Sequence, residues 1–336
     1  HKCNVCFKSK PKALEPKMAP LPSIRFQQCK AFLHTGVDYA GPFAISMARQ
    51  RGRPTLKAYV CLFICLSTKA VHFELASNLS TECFLAAFRR FLSRRGPCQV
   101  LSSDQGTNFI GAKNKLEDLY GTIASSKYND MIGNELSTRG VEWRLNPAAS
   151  PHFGGIWERN IQTFKSFLYK CIGSQQLTYE EFNTVIIQIE AVVNSRPLAV
   201  LSADPNGPTA LTPSHFLTLG SSLDRLPDAD LTGIPASRLD HYQLVTHIVQ
   251  GFWKRWQQEY LHTLQARSKW TKDGTPITEG TVVVLMKENS PPLHWPLAVV
   301  TELCHSPDGV SRVAKLRTSQ GELVRPLVRL CPLPTQ

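Results

Sequence analysis

Three successive stretches, Thr35–Ile45, Lys57–Leu66 and Lys69–Leu75, are dominated by hydrophobic positions rich in Val, Phe, Tyr and Ile, the middle one continuously apolar from Ala58 to Leu66. That pattern predicts three neighbouring strands. The pattern then changes. Phe84, Leu85, Phe88, Phe91 and Leu92 recur at the i, i+1, i+4, i+7, i+8 spacing of an amphipathic helix over 80–94, and Gly96-Pro97 ends it. Arg89, Arg90, Arg94 and Arg95 gather late in that helix, where cations suit its C-terminus. Cys98–Ser103 reads as a fourth strand, Asn108–Tyr120 as a helix and Val141–Leu145 as a fifth strand, with the polar stretch 121–140 inserted before it. Gly155–Ile172 and Leu177–Asn194 read as helices, the second capped by Thr178 ahead of Glu180 and Glu181.

Beyond Pro197 the pattern loosens into Pro- and Asp-rich sequence as far as about Asp240. A stripe of Val245, Ile248, Val249, Phe252, Trp253, Trp256 and Tyr260 then predicts a helix over Tyr242–Leu264. Thr281–Met286, Leu297–Leu303, Arg312–Thr318 and Glu322–Leu330 predict a small all-β unit, closed as a barrel. Four regions follow: an N-terminal segment and linker over 1–30, an α/β domain with a mixed five-stranded sheet over 31–200, an irregular linker over 201–240, and a helix with a small all-β domain over 241–336.

Composition narrows the classes. The 336 residues are 42% hydrophobic, enough for a substantial core. The longest apolar run, Ala58–Leu66, is far short of the roughly 18–20 residues a membrane span needs, so no membrane partner is expected. The net charge of +12 favours a polyanionic partner, with nucleic acid the first choice. Ten cysteines are scattered through apolar stretches without disulfide-scaffold spacing, and only Cys3-Asn-Val-Cys6 has the spacing of a zinc site. Starting at His1, the chain reads as a piece of a longer polypeptide.

The candidate chemistry begins at Asp104, in Ser102-Ser-Asp-Gln-Gly-Thr-Asn-Phe109. Alone, an Asp and a Gly after a strand mark a turn. Two other acids change its meaning: Asp38 in Thr35-Gly-Val-Asp-Tyr-Ala-Gly-Pro42, and Glu158 in Pro151-His-Phe-Gly-Gly-Ile-Trp-Glu158. In a ribonuclease H-like sheet the middle of strand one and the end of strand four lie side by side, with the helix after strand five across them. Three converging carboxylates repel unless a cation neutralises them, and hard oxygen ligands suit Mg²⁺ or Mn²⁺. Such a pair of ions serves in-line attack on phosphorus. No Gly-x-Ser-x-Gly or phosphate-cradling loop competes with this reading.

Together with Asn194-Ser-Arg-Pro-Leu198, these motifs resemble the integrase of BEL/Pao-type LTR retrotransposons, in order and over almost the whole chain. The resemblance implies a ribonuclease H-like core with a DDE triad of Asp38, Asp104 and Glu158, all three ligating Mg²⁺ or Mn²⁺. It implies metal-dependent 3′-end processing and strand transfer of element DNA into target DNA, by a homo-multimer, in the nucleus after a cytoplasmic particle stage. It also implies an HHCC zinc module, of which Cys3 and Cys6 are present and whose histidines would lie upstream of His1. The C-terminal region resembles the SH3-like integrase module.

One departure concerns spacing. Between Asp104 and Glu158 lie 53 residues, more than in retroviral integrases, whereas only 37 lie between Asp104 and Glu142. Glu142 is set aside because Val141-Glu-Trp-Arg-Leu145 alternates as a strand and places it beside Arg144. Gln162 and Lys165, at +4 and +7 from Glu158, share its helix face and are candidates for double-stranded DNA, as are Asn108 and His152 at the site's edge. Lys254, Arg255, Arg267 and Lys269 make the later helix and its exit basic, suited to phosphate. His34 and His72 are expected to be structural, and Trp295 to be core. Two other readings stay open: a nuclease or cut-and-paste transposase of the same fold, and a catalytically retired DNA- or protein-binding module.

Overall fold

A computed structural model describes residues 27–48, 54–104, 106–125, 140–145, 165–173, 175–204, 206–220, 228–265, 277–287, 290–306 and 311–335. Three strands open the fold: β1 (His34–Ser46), β2 (Thr55–Cys65) and β3 (Val71–Ala76), paired antiparallel in that order. Helix α1 (Thr81–Arg95) begins where Ser80 Oγ accepts Cys83 N–H and ends at Gly96, whose N–H donates to Leu92 O at 2.8 Å. Strand β4 (Val100–Ser103) then returns parallel to β1 on the side away from β2. Helix α2 (Thr107–Ser125) follows, and β5 (Glu142–Leu145) adds parallel to β4.

The resulting order, β3-β2-β1-β4-β5, with the first three antiparallel and the last two parallel to β1, is the ribonuclease H-like arrangement expected above. A sixth strand, β6 (Leu177–Thr178), pairs with Ile45 and Ser46 at the far end of β1. Two residues carry no readable alternation, which is why the sequence does not show it.

Both faces of this sheet are covered, so neighbouring residues of one strand enter different cores. In β2, Val60, Leu62 and Ile64 join one cluster while Cys61, Phe63 and Cys65 join the other. The second cluster is built with Phe84, Phe88 and Phe91 of α1, Phe109 of α2 and Trp143 of β5. The first receives three helices: α3 (residues 165–172), α4 (Tyr179–Asn194) and α5 (His241–Leu264). Thr178 caps α4 as expected, its hydroxyl accepting Glu181 N–H while the Glu181 carboxylate accepts the N–H of Thr178. Asp240 and Gln243 form the same reciprocal box on α5. The apolar stripe of α5 is buried as its spacing predicts, from Val245 to Trp256.

Within the stretch expected to be irregular, β7 (Ala199–Ser202) and β8 (Thr209–Leu211) form a short antiparallel pair. Its support is tertiary: Val200 N donates to Pro334 O at 3.0 Å, and Val200 and Ala210 pack under the C-terminal sheet. That sheet comprises β9 (Val282–Leu285), β10 (Leu297–His305), β11 (Ser311–Thr318), β12 (Gly321–Pro326) and β13 (Leu330–Pro332), all antiparallel in the order β12-β11-β10-β9-β13. One side encloses Val283, Leu285, Val300 and Leu316, while the other side, with Val282, Val284 and Cys331, meets Leu261 of α5. This is the separate all-β unit that the sequence predicts. Among the described residues no helix is long and apolar enough to cross a membrane.

Candidate active site and nucleic-acid interface

Register decides which of the candidate acids meet. Gly36 of β1 stands opposite Ser102 of β4 in a parallel ladder. The ladder ends at that pair, and Asp38 and Asp104 follow two residues further along, at the same end of the two strands. Alternation sets the face of Asp38. Val37 and Leu101 point to the α1/α2 cluster, and Ser103 Oγ accepts the indole N–H of Trp143 on that side at 2.9 Å. Asp38 therefore belongs to the opposite face, the one that carries α3, while Asp104 lies just past the end of β4 and is exposed.

Helix α3 supplies the first contact. Lys165 Nζ lies 2.9 Å from Asp38 Oδ2, with both side chains roughly three-quarters buried. The other oxygen, Asp38 Oδ1, accepts the N–H of Tyr39 at 2.7 Å. Tyr39 itself is held by stacking on Phe109, and burial pushes its phenol far above the usual range, so it stays neutral. Asp104 Oδ1 accepts Gly106 N–H at 3.1 Å, which folds the chain into the start of α2. A Cβ on Gly106 would stand 2.8 Å from Asn108 Oδ1 and 3.2 Å from Asp104 Oδ1, so glycine leaves room for both polar side chains. Asn108 thus lies beside Asp104, and its buried Nδ2 has no partner among the described residues.

Glu142 lies elsewhere. It pairs with Val100 at the start of β4, four residues before Asp104, which is roughly 13 Å at about 3.3 Å per residue. Arg144 holds it through two hydrogen bonds of 2.7 and 3.2 Å, and this pairing lowers its carboxyl pKa. The reason given for setting Glu142 aside, its place beside Arg144 on a strand, is what the structure shows. Glu158, Gln162 and His152 lie outside the described residues, as do Cys3, Cys6, Arg267 and Lys269.

Lys254 and Arg255 are exposed on α5. Arg255 and Lys170 lie close enough to Cys171 of α3 to oppose the burial that pushes its thiol up to about 11. One more residue escaped the sequence reading. Tyr169 follows Lys165 by four positions on α3, stacks on Phe43 of β1 at 4.6 Å and is still 43% exposed. The i, i+4 spacing from Lys165 was its available signal. His34 and His72 are buried, consistent with structural roles, and Trp295 is partly buried against Trp253 and Tyr260.

The donor chemistry suits a hard divalent ion: two carboxylates, each with one oxygen accepting a backbone N–H. A cationic group does sit on the remaining oxygen of Asp38, namely the Lys165 ammonium. Among the described residues no group of three or more His, Cys, Asp or Glu side chains that could hold a metal ion comes together.

A family model described as a family of unknown function (DUF5641) matches residues 240–333, that is, α5 with the all-β unit. No curated protein matches the chain. Among solved structures, one described as the simian T-cell lymphotropic virus intasome in complex with PP2A regulatory subunit B56 gamma is similar over 99% of this chain and 88% of its own, at 10% identity and a TM-score of 0.38. Another, the HTLV-2 integrase catalytic core domain in complex with magnesium in a trimeric form, is similar over 56% of this chain and 99% of its own, at 12% identity and a TM-score of 0.34.

Proposed function

We propose that the chain is the integrase of a BEL/Pao-type LTR retrotransposon, a DDE polynucleotidyl transferase that trims the 3′ ends of element DNA and joins them to target DNA. The observation that supports the reading is the parallel β1/β4 ladder, whose last pair, Gly36 and Ser102, lies two residues before Asp38 and Asp104, with Lys165 against Asp38. Asp38 and Asp104, with Glu158 as the third acid, would hold Mg²⁺ or Mn²⁺. Such ions, when bound, activate an attacking oxygen and stabilise the leaving one, so the protein need supply no nucleophile of its own. The role of this chain's residues is then placement. Asn108 borders the acids, while Lys165, Lys170 and Arg255 give the α3 and α5 side a positive character suited to DNA phosphates. Joining two ends to one target implies a homo-multimer acting on chromosomal DNA in the nucleus, with Cys3 and Cys6 completing a zinc site only alongside upstream histidines.

The test is resolution of a branched DNA that mimics the strand-transfer product, with Mg²⁺ or Mn²⁺, by wild type and by Asp104→Asn, Glu158→Gln and Glu142→Gln. Metal-dependent resolution lost in the first two variants and kept in the third is the expected result. Activity that survives Asp104→Asn would remove the reading. A folded wild type that binds DNA but never resolves the branch would point instead to a retired binding module.

A further inference from the structure

The Asp38–Lys165 pair raises a question that the proposed chemistry leaves unanswered. Asp38 Oδ1 already accepts the backbone N–H of Tyr39, so Oδ2 is the oxygen more open to a cation, and Lys165 is paired with it. The lysine is not there by chance flexibility. Phe167 and Leu168 anchor α3 in the core, and Tyr169 stacks on Phe43 of β1, which fixes the helix face that carries Lys165 against β1. With Asp38 25% and Lys165 29% exposed, the pair is screened less than a surface ion pair.

A divalent ion and this ammonium cannot share Oδ2. A bound Mg²⁺ stands roughly 2.1 Å from its ligand oxygen, which would leave two positive centres within a few ångströms of each other. One must yield. We propose that Lys165 is an internal counter-ion for Asp38 in the metal-free protein, that a divalent ion displaces it, and that the freed ammonium then becomes available to a DNA phosphate. The inference rests on reading Asp38 as a metal ligand.

Two consequences follow from the geometry. Metal binding to the DNA-free protein must break an ion pair, so removing the lysine charge strengthens it. Metal and DNA also become coupled: the ion frees Lys165 for phosphate, and phosphate holds Lys165 away from Asp38. By linkage each ligand then raises the affinity for the other by the same factor. In this arrangement the site loads its ion and its substrate together.

The experiment titrates Mn²⁺ into the full chain without DNA, reading free Mn²⁺ by electron paramagnetic resonance, for wild type, Lys165→Gln, Lys165→Arg and Asp38→Asn. A second arm measures binding of a fluorescent DNA duplex with and without Mn²⁺. Circular dichroism confirms that each variant is folded. Lys165→Gln is expected to bind Mn²⁺ on the order of tenfold more tightly than wild type, Lys165→Arg to stay close to wild type, and Asp38→Asn to lose the site. Mn²⁺ should raise duplex affinity in wild type more than in Lys165→Gln, which controls for general screening of DNA charge. Wild-type binding that needs Asp38 but is unchanged or weakened in Lys165→Gln overturns the counter-ion role and leaves the metal site standing. Wild-type binding that is absent, or indifferent to Asp38→Asn, overturns the metal reading itself.

Discussion

Asn194 makes with Val71 both of the hydrogen bonds that a neighbouring strand would make: Val71 N donates to Asn194 Oδ1 and Asn194 Nδ2 donates to Val71 O, each at 2.9 Å. Two residues along, Phe73 N donates to Glu190 Oε2 at 2.8 Å. Strand β3 is the edge of the sheet, and unpaired edge groups invite pairing with another chain. Side chains of α4 stand in for the missing strand. Because the site is fully buried, Asn194→Leu leaves a donor and an acceptor without partners. At about 1–3 kcal/mol for each stranded group, the expected loss is roughly 2–6 kcal/mol. Urea unfolding measures it, and an unchanged midpoint would mean that the edge is satisfied in some other way.

Arg196, in the same Asn194-Ser-Arg-Pro motif, closes a different gap. Its buried guanidinium donates to Val193 O in the last turn of α4 and to Lys69 O in the turn before β3, each at 2.6 Å. Burial lowers its pKa, and the carbonyls of a helix C-terminus compensate the charge. A lysine cannot span both acceptors with the same planar fork. Arg196→Lys should therefore lose about 1.5–3 kcal/mol, the range for a hydrogen bond to a charged group. Stability of Arg196→Lys equal to wild type in urea would show that a point charge there is sufficient.

These two residues show what the sequence could and could not reveal. Periodicity placed every long strand and helix of the described core, because each buries one face or two, and Thr178 announced its helix by capping chemistry. The Asn194-Ser-Arg-Pro motif was visible only as a family likeness, since its partners Val71 and Lys69 lie more than a hundred residues away and contribute backbone groups. Arg90, Arg94 and Arg95 looked like helix-terminal cations. Arg94 and Arg95 do stand in the last turn, and with Arg90 they also reach Glu74 and Glu190, carboxylates buried within apolar runs. The available signal was His72 and Glu74 at i and i+2 on one face of β3, followed by four arginines on the next helix. Asp38 and Asp104 could be placed at the same end of neighbouring strands from the fold order, but the Lys165 contact needed the helix in place.

The buried histidine gives a pH prediction. His72 Nε2 lies 2.9 Å from Glu74 Oε1, and Nδ1 lies between the Glu190 carboxylate at 3.3 Å and Arg95 Nε at 3.2 Å. Burial opposes its protonation, but hydrogen bonds to Glu190 and Glu74 outweigh that and raise its pKa against the opposing charge of Arg95. A raised folded-state pKa stabilises the fold fully below the unfolded value of about 6.5, and the contribution is lost as pH rises through the folded value. Glu74 behaves oppositely. Burial opposes its ionisation, yet His72, Arg90 and Arg94 lower its pKa, so its contribution is lost as pH falls below about 4.5. The network contributes most between these limits, at roughly pH 5–6. Urea midpoints from pH 5.5 to 8 should fall more steeply in wild type than in His72→Gln. Parallel profiles would show that His72 does not change its protonation on folding.

The seam between the α/β core and the small sheet turns on Trp295. Its indole N–H donates to Ser195 Oγ at 3.1 Å, and its ring meets those of Trp253 and Tyr260 edge-on at 4.9 and 5.7 Å. Trp253 Nε1 in turn donates to Ser290 O at 2.7 Å, so the segment before β10 is tied to α5 from both ends. Full burial of a tryptophan is worth about 3–5 kcal/mol against alanine, and a partly exposed one somewhat less. Trp295→Ala removes packing against the helix-bearing core cluster and against the cluster that joins α5 to the small sheet, and leaves the α1/α2 cluster and the inner cluster of the small sheet untouched. Scanning calorimetry should show one transition for wild type and two for the variant, with the loss confined to coupling between the core and the all-β unit. A single transition displaced to lower temperature would mean that α5, through Leu261 against Val282 and Cys331, is enough to keep the two units cooperative.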